Sequence, residues 1–324
     1  MKTPLVSIVL PTFNRSNYLA RSIQSIMEQS YTDWELIAVD DASTDQTPRV
    51  LEQFASTERR IVVVRNTKNM KLPASLNIGF GHARGELFTW TSDDNLYRPN
   101  AISRMVSFLQ ADESISLVYS GMTQIDDGGA GLGYLHALPP TQIGRKCVVH
   151  ACFLYRRMVH ELLGGYREEM HYAEDYDFWL RAFCIFKLKE IDEDLYEYRS
   201  HLKSMSGERD RVQRATAMAL LDALPLLSTV SRSVAADAAL RLARFYMNNG
   251  GRFRAFGMAL RACRLDVTTA VQERRILSQL IFGTRLTAAL GIHDRYNRGD
   301  MPQSSLSAVA PDNDEGSKTD SSQR

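Results

Sequence analysis

The first 110 residues alternate between short apolar runs and segments with helical hydrophobic spacing. Each apolar run has the length of a strand and ends at turn-forming or helix-starting residues. The predicted strands are Val6–Leu10, Glu35–Val39, Ile61–Val64 and Leu87–Trp90, and the predicted helices begin near Ser16, Thr47, Pro73 and Ile102. The β-branched run Ile61–Val64 is typical of a buried strand. This alternation predicts a mainly parallel sheet with right-handed crossovers, flanked by helices.

The pattern changes twice after this region. Strand-like runs at Ser116–Tyr119, Cys147–Val149 and Phe186–Ile191 lie in a mixed segment, and Asp126–Gly133 is rich in turn residues and is predicted to be a mobile loop. From Asp210 to Tyr296 the sequence has helical character and is rich in Ala, Leu and Arg. After Asp300 it is polar and has almost no aromatic residues, which is typical of a disordered tail. We therefore predict an α/β domain at 1–205, an all-helical region at 206–299 and a tail at 300–324.

The charge of the chain is divided unevenly between its two halves. The formal net charge is +1, which gives no global reason to expect nucleic acid as a partner. Residues 1–198 hold 20 Lys and Arg against 26 Asp and Glu, whereas residues 199–299 hold 17 against 7. The second part can be a solvated face packed on the first, or a platform for an anionic membrane surface. The N-terminus does not resemble a signal peptide, and no apolar stretch has the length of a spanning helix.

Acidic residues follow two of the predicted strands, at the sheet edge where parallel α/β proteins bind ligands. Asp40, Asp41 and Asp45 follow the second strand, and Asp93 and Asp94 follow the fourth. Either cluster alone is explained by turn chemistry, because Asp favours turns. Carboxylates gathered at one edge repel each other unless a cation lies there, and hard divalent cations bind carboxylate and phosphate oxygens. The two clusters together predict a divalent cation that binds with a diphosphate.

A third acidic cluster, Glu174–Arg181, contains three carboxylates beside Tyr176 and Trp179. Acids near a helix N-terminus are often caps, and capping explains one or two of them. Aromatic rings such as that of Trp179 suit the face of a sugar. A carboxylate in this cluster could therefore act as a general base for an acceptor hydroxyl.

These motifs, in this order and spacing, resemble family 2 glycosyltransferases of the GT-A fold, in particular the spore-coat-polysaccharide type of inverting transferase. The resemblance covers roughly residues 4–205. It is carried by Val6–Arg15, Ser22–Tyr31, Asp33–Asp45, Ala83–Glu86, Thr91–Pro99, Gly164–Tyr166, Glu174–Arg181 and Tyr198–His201. It implies a GT-A-like, Rossmann-related mixed sheet and a catalytic role for the domain at 1–205.

The resemblance also implies a role for each matching residue. The loop after the first strand would wrap the nucleotide base, and the acids after the second strand would hold the base and ribose. The predicted nucleotide-sugar contacts are Pro11, Thr12, Asn14, Arg15, Asp40, Asp41 and Asp93. Asp94 would bind Mg²⁺ or Mn²⁺, and His201 is a second candidate for the metal or diphosphate. Ser92 replaces the usual first acid of the metal motif, which implies fewer protein ligands to the metal. Asp175 falls where the family has its catalytic base, and Glu174 and Trp179 are predicted to contact the acceptor or sugar.

The implied activity is metal-dependent, inverting transfer of one sugar, or a few, from a nucleoside-diphosphate sugar to an acceptor hydroxyl. The Gln-x-x-Arg-Trp motif of processive synthases is absent from the sequence. UDP or dTDP is the expected nucleotide, and a glycan or a lipid-linked saccharide is the expected acceptor, in the synthesis of polysaccharide or cell-surface glycan. The expected location is the cytoplasm, with peripheral contact to the inner face of the membrane through the basic helical region.

Three other functions would account for parts of this sequence. The glycine run Gly79, Gly81 and Gly85 precedes a strand, whereas the glycine motif of a dinucleotide-dependent oxidoreductase follows one. A nucleotidyltransferase would have a glycine- and lysine-rich loop after the first strand, and Pro11–Arg15 contains neither residue. A catalytically silent relative that binds a sugar or a partner is the remaining alternative. The substituted metal motif favours it, whereas the presence of Asp175 and Asp94 argues against it.

Overall fold

A computed structural model describes residues 5–200 and 208–272. Its strands are β1 Val6–Thr12, β2 Trp34–Asp40, β3 Ile61–Arg65, β4 Leu87–Trp90, β5 Leu96–Tyr97, β6 Ile115–Ile125, β7 Gly131–Leu135, β8 Phe153–Arg156 and β9 Lys187–Arg199. Its helices are α1 Ser16–Met27, α2 Thr47–Thr57, α3 Leu72–His82, α4 Ala101–Ala111, α5 Arg157–Leu163, α6 Glu174–Phe183, α7 Arg209–Val230, α8 Arg232–Asn248, α9 Arg252–Leu265 and α10 Val267–Gln272.

The strands form one mixed sheet in the order β3-β2-β1-β4-β8-β6-β9-β5, and β7 pairs with β6. The first four strands are parallel, as predicted, and Thr12 lies opposite Asp40 in the register of β1 and β2. This register brings the ends of β1 and β2 together. The prediction that Ile61–Val64 is a buried strand is wrong, because β3 lies at the sheet edge and Val62 is 41% exposed.

Alternate side chains of the central strands face two separate cores. Ile8 and Leu10 belong to the core formed with α1, α2 and α4, whereas Val9 belongs to the core on the opposite face. This is the period of two expected for a strand covered on both faces. Helices on both faces of the sheet therefore hold β1 in place, and the polar loop after β1 follows a strand that is fixed in the core.

The middle of the chain departs from its predicted strands at one place. Cys147–Val149 is not a strand, because its residues pass beneath the C-terminal helices as irregular chain, with Val148 fully buried and Val149 2% exposed. The strand that pairs with β4 and β6 is β8. The turn-rich segment at Asp126–Gly133 joins β6 to β7 as a hairpin, closed by hydrogen bonds between Asp126 and Ala130.

The C-terminal helices pack on the same face of the sheet as α3, α5 and α6. Helix α8 lies so close to Gly144 that a Cβ atom there would be 2.2 Å from the carbonyl oxygen of Val234. Arg145 binds the buried carboxylate of Asp237 at 2.8 Å. The prediction of a helical region is confirmed as far as Gln272, and residues 273–296 and the tail at 300–324 lie outside the described residues.

Candidate active site

Two loops after β1 and β2 are joined through Asn14. The Asn14 side-chain oxygen accepts a hydrogen bond from the Thr44 amide at 2.8 Å, and the Asn14 amide donates to the Ser43 hydroxyl at 3.0 Å. Pro11 and Thr12 are buried beneath this junction, whereas the ring of Phe13 is 42% exposed. The structure therefore brings the predicted nucleotide-binding loop and the Asp40 loop into contact. Phe13 offers an exposed aromatic face that the sequence prediction did not single out.

The carboxylates of Asp40 and Asp41 are engaged by the protein itself. The Asp41 oxygens accept from the Asn66 side chain at 2.8 Å, from the Met70 amide at 2.7 Å and from the Lys71 amide at 3.0 Å. Asp40 is 1% exposed and lies 3.2 Å from the guanidinium of Arg65. Both acids thus organise the loops at the sheet edge, and their predicted contacts with base and ribose stay predictions.

The four non-glycine residues with positive φ in the described parts of the chain all lie in loops at this edge or at the start of α6. They are Asn14 at 54°, Ala42 at 65°, Lys71 at 73° and Tyr172 at 77°. Only Asn among these residue types adopts this conformation readily, so the other three carry a conformational cost. Such strain is retained where the surrounding structure fixes it, and it concentrates at functional sites.

Asp93 and Asp94 form the second acidic element of this edge. Asp93 is 7% exposed, and burial together with the neighbouring Asp94 charge raises its pKa to about 7. Thr12, Arg15 and the Phe13 amide offset this increase in part, so these residues of the β1 loop lie close to Asp93. The structure thus brings Asp93, Thr12 and Arg15 together, as the sequence predicts for strand ends at one edge.

Asp93 and Asp94 fit a divalent cation whose other ligands come largely from a bound phosphate compound and water. Mg²⁺ in phosphate-binding sites commonly takes one or two carboxylates and completes its shell with phosphate oxygens and water. Burial and the adjacent Asp94 charge raise the pKa of Asp93, and a cation at Asp94 would relieve the repulsion between the two carboxylates. No cluster of three His, Cys, Asp or Glu ligands occurs within 5–200 and 208–272, and His201 lies outside these ranges.

Arg199 supports the Asp94 loop, and the sequence prediction missed it. Its side chain is buried, and it donates to the Asp94 carbonyl oxygen at 3.0 Å and to the carbonyl oxygens of Asp126 and Asp127 at 2.9 and 2.8 Å. The Arg199 amide donates to the Asn95 side chain at 2.8 Å. Arg199 therefore ties the backbone of the predicted metal loop to the β6–β7 turn. The motif Tyr198–His201 includes Arg199, but only its histidine was predicted to have a role.

The three acids at the start of α6 have different partners. Asp177 is 1% exposed and binds the Arg181 guanidinium at 2.9 Å, an i,i+4 ion pair inside the protein. Glu174 is 5% exposed, and burial together with the charge of Asp175 raises its pKa to about 8. Burial also raises the pKa of Asp175, and backbone hydrogen bonds, including one from the Tyr176 amide at 2.6 Å, offset part of this increase. Asp177 is ion-paired within the protein, whereas burial raises the pKa of both Glu174 and Asp175 above the ordinary carboxyl value.

The surroundings of Asp175 connect it to the strand that ends at Asp93 and Asp94. The Trp90 ring nitrogen donates to the Tyr166 hydroxyl at 2.9 Å, and Tyr166 lies within electrostatic range of Asp175. On the other side, His171 lies 4.0 Å from Glu174 and within range of Lys71, whose amide binds Asp41. The start of α6 and the acidic sheet edge therefore belong to one neighbourhood.

Trp179 lies in the core. It is fully buried, and its ring packs against Phe153 at a centroid distance of 4.6 Å and against Phe178 at 5.2 Å. This burial contradicts the expectation that Trp179 contacts a sugar. The Trp179 side chain points inward because α6 presents this face to the sheet. Of the two predicted acceptor contacts, only Glu174 lies beside the candidate base.

Comparison with known proteins agrees with this geometry. Residues 7–164 match the family described as Glycosyl transferase family 2. EpsE of Bacillus subtilis, which is named as a glycosyltransferase, is 34% identical over 221 residues, covering 63% of this chain and 79% of EpsE.

Solved structures agree at the level of the fold. TarS residues 1–349 of S. aureus, in complex with UDP-GlcNAc, superposes with a TM-score of 0.67 at 17% identity over 87% of both chains. The mannosyltransferase PcManGT of Pyrobaculum calidifontis, in complex with GDP-Man and Mn²⁺, superposes with a TM-score of 0.60 at 18% identity over 92% of this chain and 83% of that one. The fold is thus GT-A-like, with helices after the sheet domain. On its sequence, fold and sheet-edge acids together, this chain belongs to glycosyltransferase family 2 and is a nucleotide-sugar-dependent enzyme.

Proposed function

We propose that this enzyme transfers one sugar, or a few, from a nucleoside-diphosphate sugar to an acceptor hydroxyl, with inversion at the anomeric carbon and Asp175 as the general base. The observation that carries the proposal is the position of Asp175. Its pKa is raised by burial, and Tyr166 and Trp90 link it to the strand that leads to Asp93 and Asp94. A base with a raised pKa takes up a proton more readily at neutral pH than an exposed aspartate does.

The donor would bind across the loops after β1, β2 and β4. Pro11, Thr12, Asn14 and Arg15 line the first loop, and Asp40, Asp41 and Asp93 complete the predicted set. The exposed ring of Phe13 offers a face on which a nucleobase can stack. We propose UDP or dTDP as the nucleotide, a choice that rests on resemblance to the family. Arg15, which lowers the pKa of Asp93, is placed to pair with a phosphate as well.

Asp94 would hold Mg²⁺ or Mn²⁺, and Asp93 would bind the ribose or a water ligand of the metal. A bound cation stabilises the negative charge that develops on the departing nucleoside diphosphate. PcManGT has Mn²⁺ in its complex with GDP-Man, which supports this choice by analogy of fold. The contribution of this chain is to hold the Asp94 loop rigid, through the hydrogen bonds from Arg199 to the Asp94 carbonyl oxygen and to Asn95.

The transfer requires one proton movement that the protein itself can perform. Asp175 would accept the proton of the acceptor hydroxyl as its oxygen bonds to the anomeric carbon, on the face opposite the departing diphosphate. The bond from the anomeric carbon to the diphosphate oxygen breaks in the same step, so the configuration inverts. A glycan or a lipid-linked saccharide is the proposed acceptor, used in polysaccharide or cell-surface glycan synthesis on the cytoplasmic side, with peripheral contact to the inner face of the membrane.

The test is release of nucleoside diphosphate from a panel of nucleotide-sugars, with Mn²⁺ and with EDTA. We expect one donor to react in the presence of metal, and Asp175→Asn to reduce turnover by about 10²- to 10⁴-fold while calorimetry shows unchanged donor binding. The matched control is Asp112→Asn, because Asp112 precedes β6 at the amino ends of the parallel strands and binds Lys187 at 2.9 Å.

Two outcomes would contradict the proposal. Full turnover by Asp175→Asn would show that another group takes the proton. The absence of both turnover and nucleotide binding across the panel would favour a catalytically silent relative. Nucleotide binding without turnover would instead direct the search to the acceptor, and the panel would then be repeated with lipid-linked and glycan acceptors.

A further inference from the structure

Helix α9 has two opposite faces with different compositions. Ala255, Ala259 and Ala262 are buried at no more than 3% exposure and pack toward α8. On the outward side, Phe253 is 97% exposed, Phe256 58% and Leu260 42%. At 3.6 residues per turn these three side chains fall within an arc of about 60°. A stripe of large apolar residues thus faces away from the protein.

Such a stripe is costly for a surface that faces only water. Single exposed apolar residues are ordinary, but a contiguous apolar patch usually marks an interaction site. Small alanines on the inner face allow α9 to lie close to α8, so the phenylalanines are not needed for packing within the described part of the chain. Their exposure therefore calls for a partner.

The charge around the stripe indicates the kind of partner. Between Asp237 and Asp266 the sequence contains six arginines and no Asp or Glu. Four of them lie on α9, where Arg252, Arg254 and Arg264 are exposed and Arg261 is half-buried. At the start of the helix, a hollow of about 390 Å³ combines aromatic rings with two of these guanidinium groups. It is lined by Phe245, Tyr246, Asn249, Gly250, Gly251, Arg252, Phe253 and Arg254.

We propose that the outward face of α9 docks this enzyme on an anionic lipid bilayer, with Phe253, Phe256 and Leu260 inserted at the level of the headgroups and the arginines paired with lipid phosphates. Exposed phenylalanine and leucine bordered by cations, with no acid among them, is the composition of helices that lie in a membrane interface. Anionic headgroups supply the complementary charge. Within the described residues no helix is long and apolar enough to cross a membrane, so the contact is one of surface docking.

This inference deepens the proposed peripheral membrane contact by naming its surface, and it rests on that part of the proposed function. It does not depend on the transfer chemistry, since α9 shares no residue with the candidate active site. Loss of vesicle binding with intact nucleotide release would therefore concern only the docking surface. Loss of nucleotide release with intact vesicle binding would concern only the reaction.

The experiment is cosedimentation of the full chain with vesicles of phosphatidylcholine alone and with about 30% phosphatidylglycerol. We expect binding to the anionic vesicles only, weakened by about 0.5 M NaCl because salt screens the arginines. The double variant Phe253→Ala/Phe256→Ala should lower the partition coefficient at least about tenfold, since each ring buries substantial apolar area. Arg252→Gln/Arg264→Gln should weaken binding mainly at low salt.

The matched controls are Leu162→Ala on α5 and Ile185→Ala after α6, whose side chains are 66% and 58% exposed at other places on the surface. Both should bind vesicles like the unchanged protein. The proposal is overturned if no vesicle binding occurs, if the α9 variants bind as well as the controls, or if the phenylalanine substitutions instead abolish self-association in the absence of lipid. Thermal melts equal to that of the unchanged protein would establish that the variants are folded.

Discussion

Replacing Glu174 with glutamine tests whether a neutral, buried carboxyl lies beside Asp175. Glu174 is 5% exposed, and its Oε2 atom has no hydrogen-bond partner among the residues that the structure describes. His171 lies 4.0 Å away, and its own pKa is lowered by burial. Under these conditions the charged form is poorly stabilised, and the pKa of Glu174 rises from 4.5 to about 8. Glutamine has nearly the same shape and carries no charge, so the substitution removes the titration and retains most of the packing.

The sign and size of the effect follow from proton linkage. The folded state binds the Glu174 proton more tightly than the unfolded state, so this residue lowers the free energy of unfolding as the pH rises from about 4.5 to about 8. At pH 7 the difference is about 2.5 pKa units, and at 1.36 kcal/mol per unit it amounts to about 3 kcal/mol. Relative to the unchanged protein, Glu174→Gln should therefore gain about 3 kcal/mol between pH 4.5 and pH 7.

Urea denaturation at several pH values between about 4.5 and 8 measures this difference directly. The matched control is Glu52→Gln, the same substitution at an exposed residue of α2. Asp93 also has a raised pKa and titrates in both proteins, so its contribution largely cancels in the comparison. Asp175 interacts with Glu174, so the measured difference belongs to this pair of carboxyls. A Glu174→Gln protein whose difference in unfolding free energy stays constant across the range would refute the assignment of a neutral carboxyl.

Two further predictions concern the loops and the docking of the helices. Ala42 has a φ of 65°, a conformation that glycine adopts without strain. Ala42→Gly should therefore raise the free energy of unfolding by about 0.5–1 kcal/mol, and Ala42→Val should lower it. Urea denaturation measures both changes. Equal stability of all three proteins would argue against strain in this loop. Gly144→Val would place its Cβ 2.2 Å from the Val234 carbonyl oxygen, so α8 should be displaced. The free energy of unfolding should fall by at least about 2 kcal/mol, and the helical region should be cleaved earlier in limited proteolysis. Gly81→Val is its matched control for added bulk, because a Cβ at Gly81 meets no atom within 4 Å, although valine also has a higher helix propensity than glycine there.

The sequence determined the local structure of this protein and the positions of its acids along the chain. Hydrophobic period and turn chemistry depend on neighbouring residues, so they correctly predicted β1, β2, β4 and the helices between them. Parallel pairing then required the ends of these strands to meet, and Asp93 does lie close to Thr12 and Arg15. The family could be predicted from the same motifs, because their order and spacing are properties of the sequence alone.

Tertiary structure alone decided which of these residues are available for chemistry. Asp177 and Asp175 are two residues apart, yet only Asp177 is paired with an arginine, because α6 turns it toward Arg181. Trp179 is fully buried by the same helix geometry, and Val62 is 41% exposed on β3, the strand at one end of the sheet. The burial of Arg199 and the exposure of Phe253 likewise depend on contacts between segments distant in the chain. Local patterns specify a residue's type and period, whereas its solvation and partners are fixed only when the elements pack together.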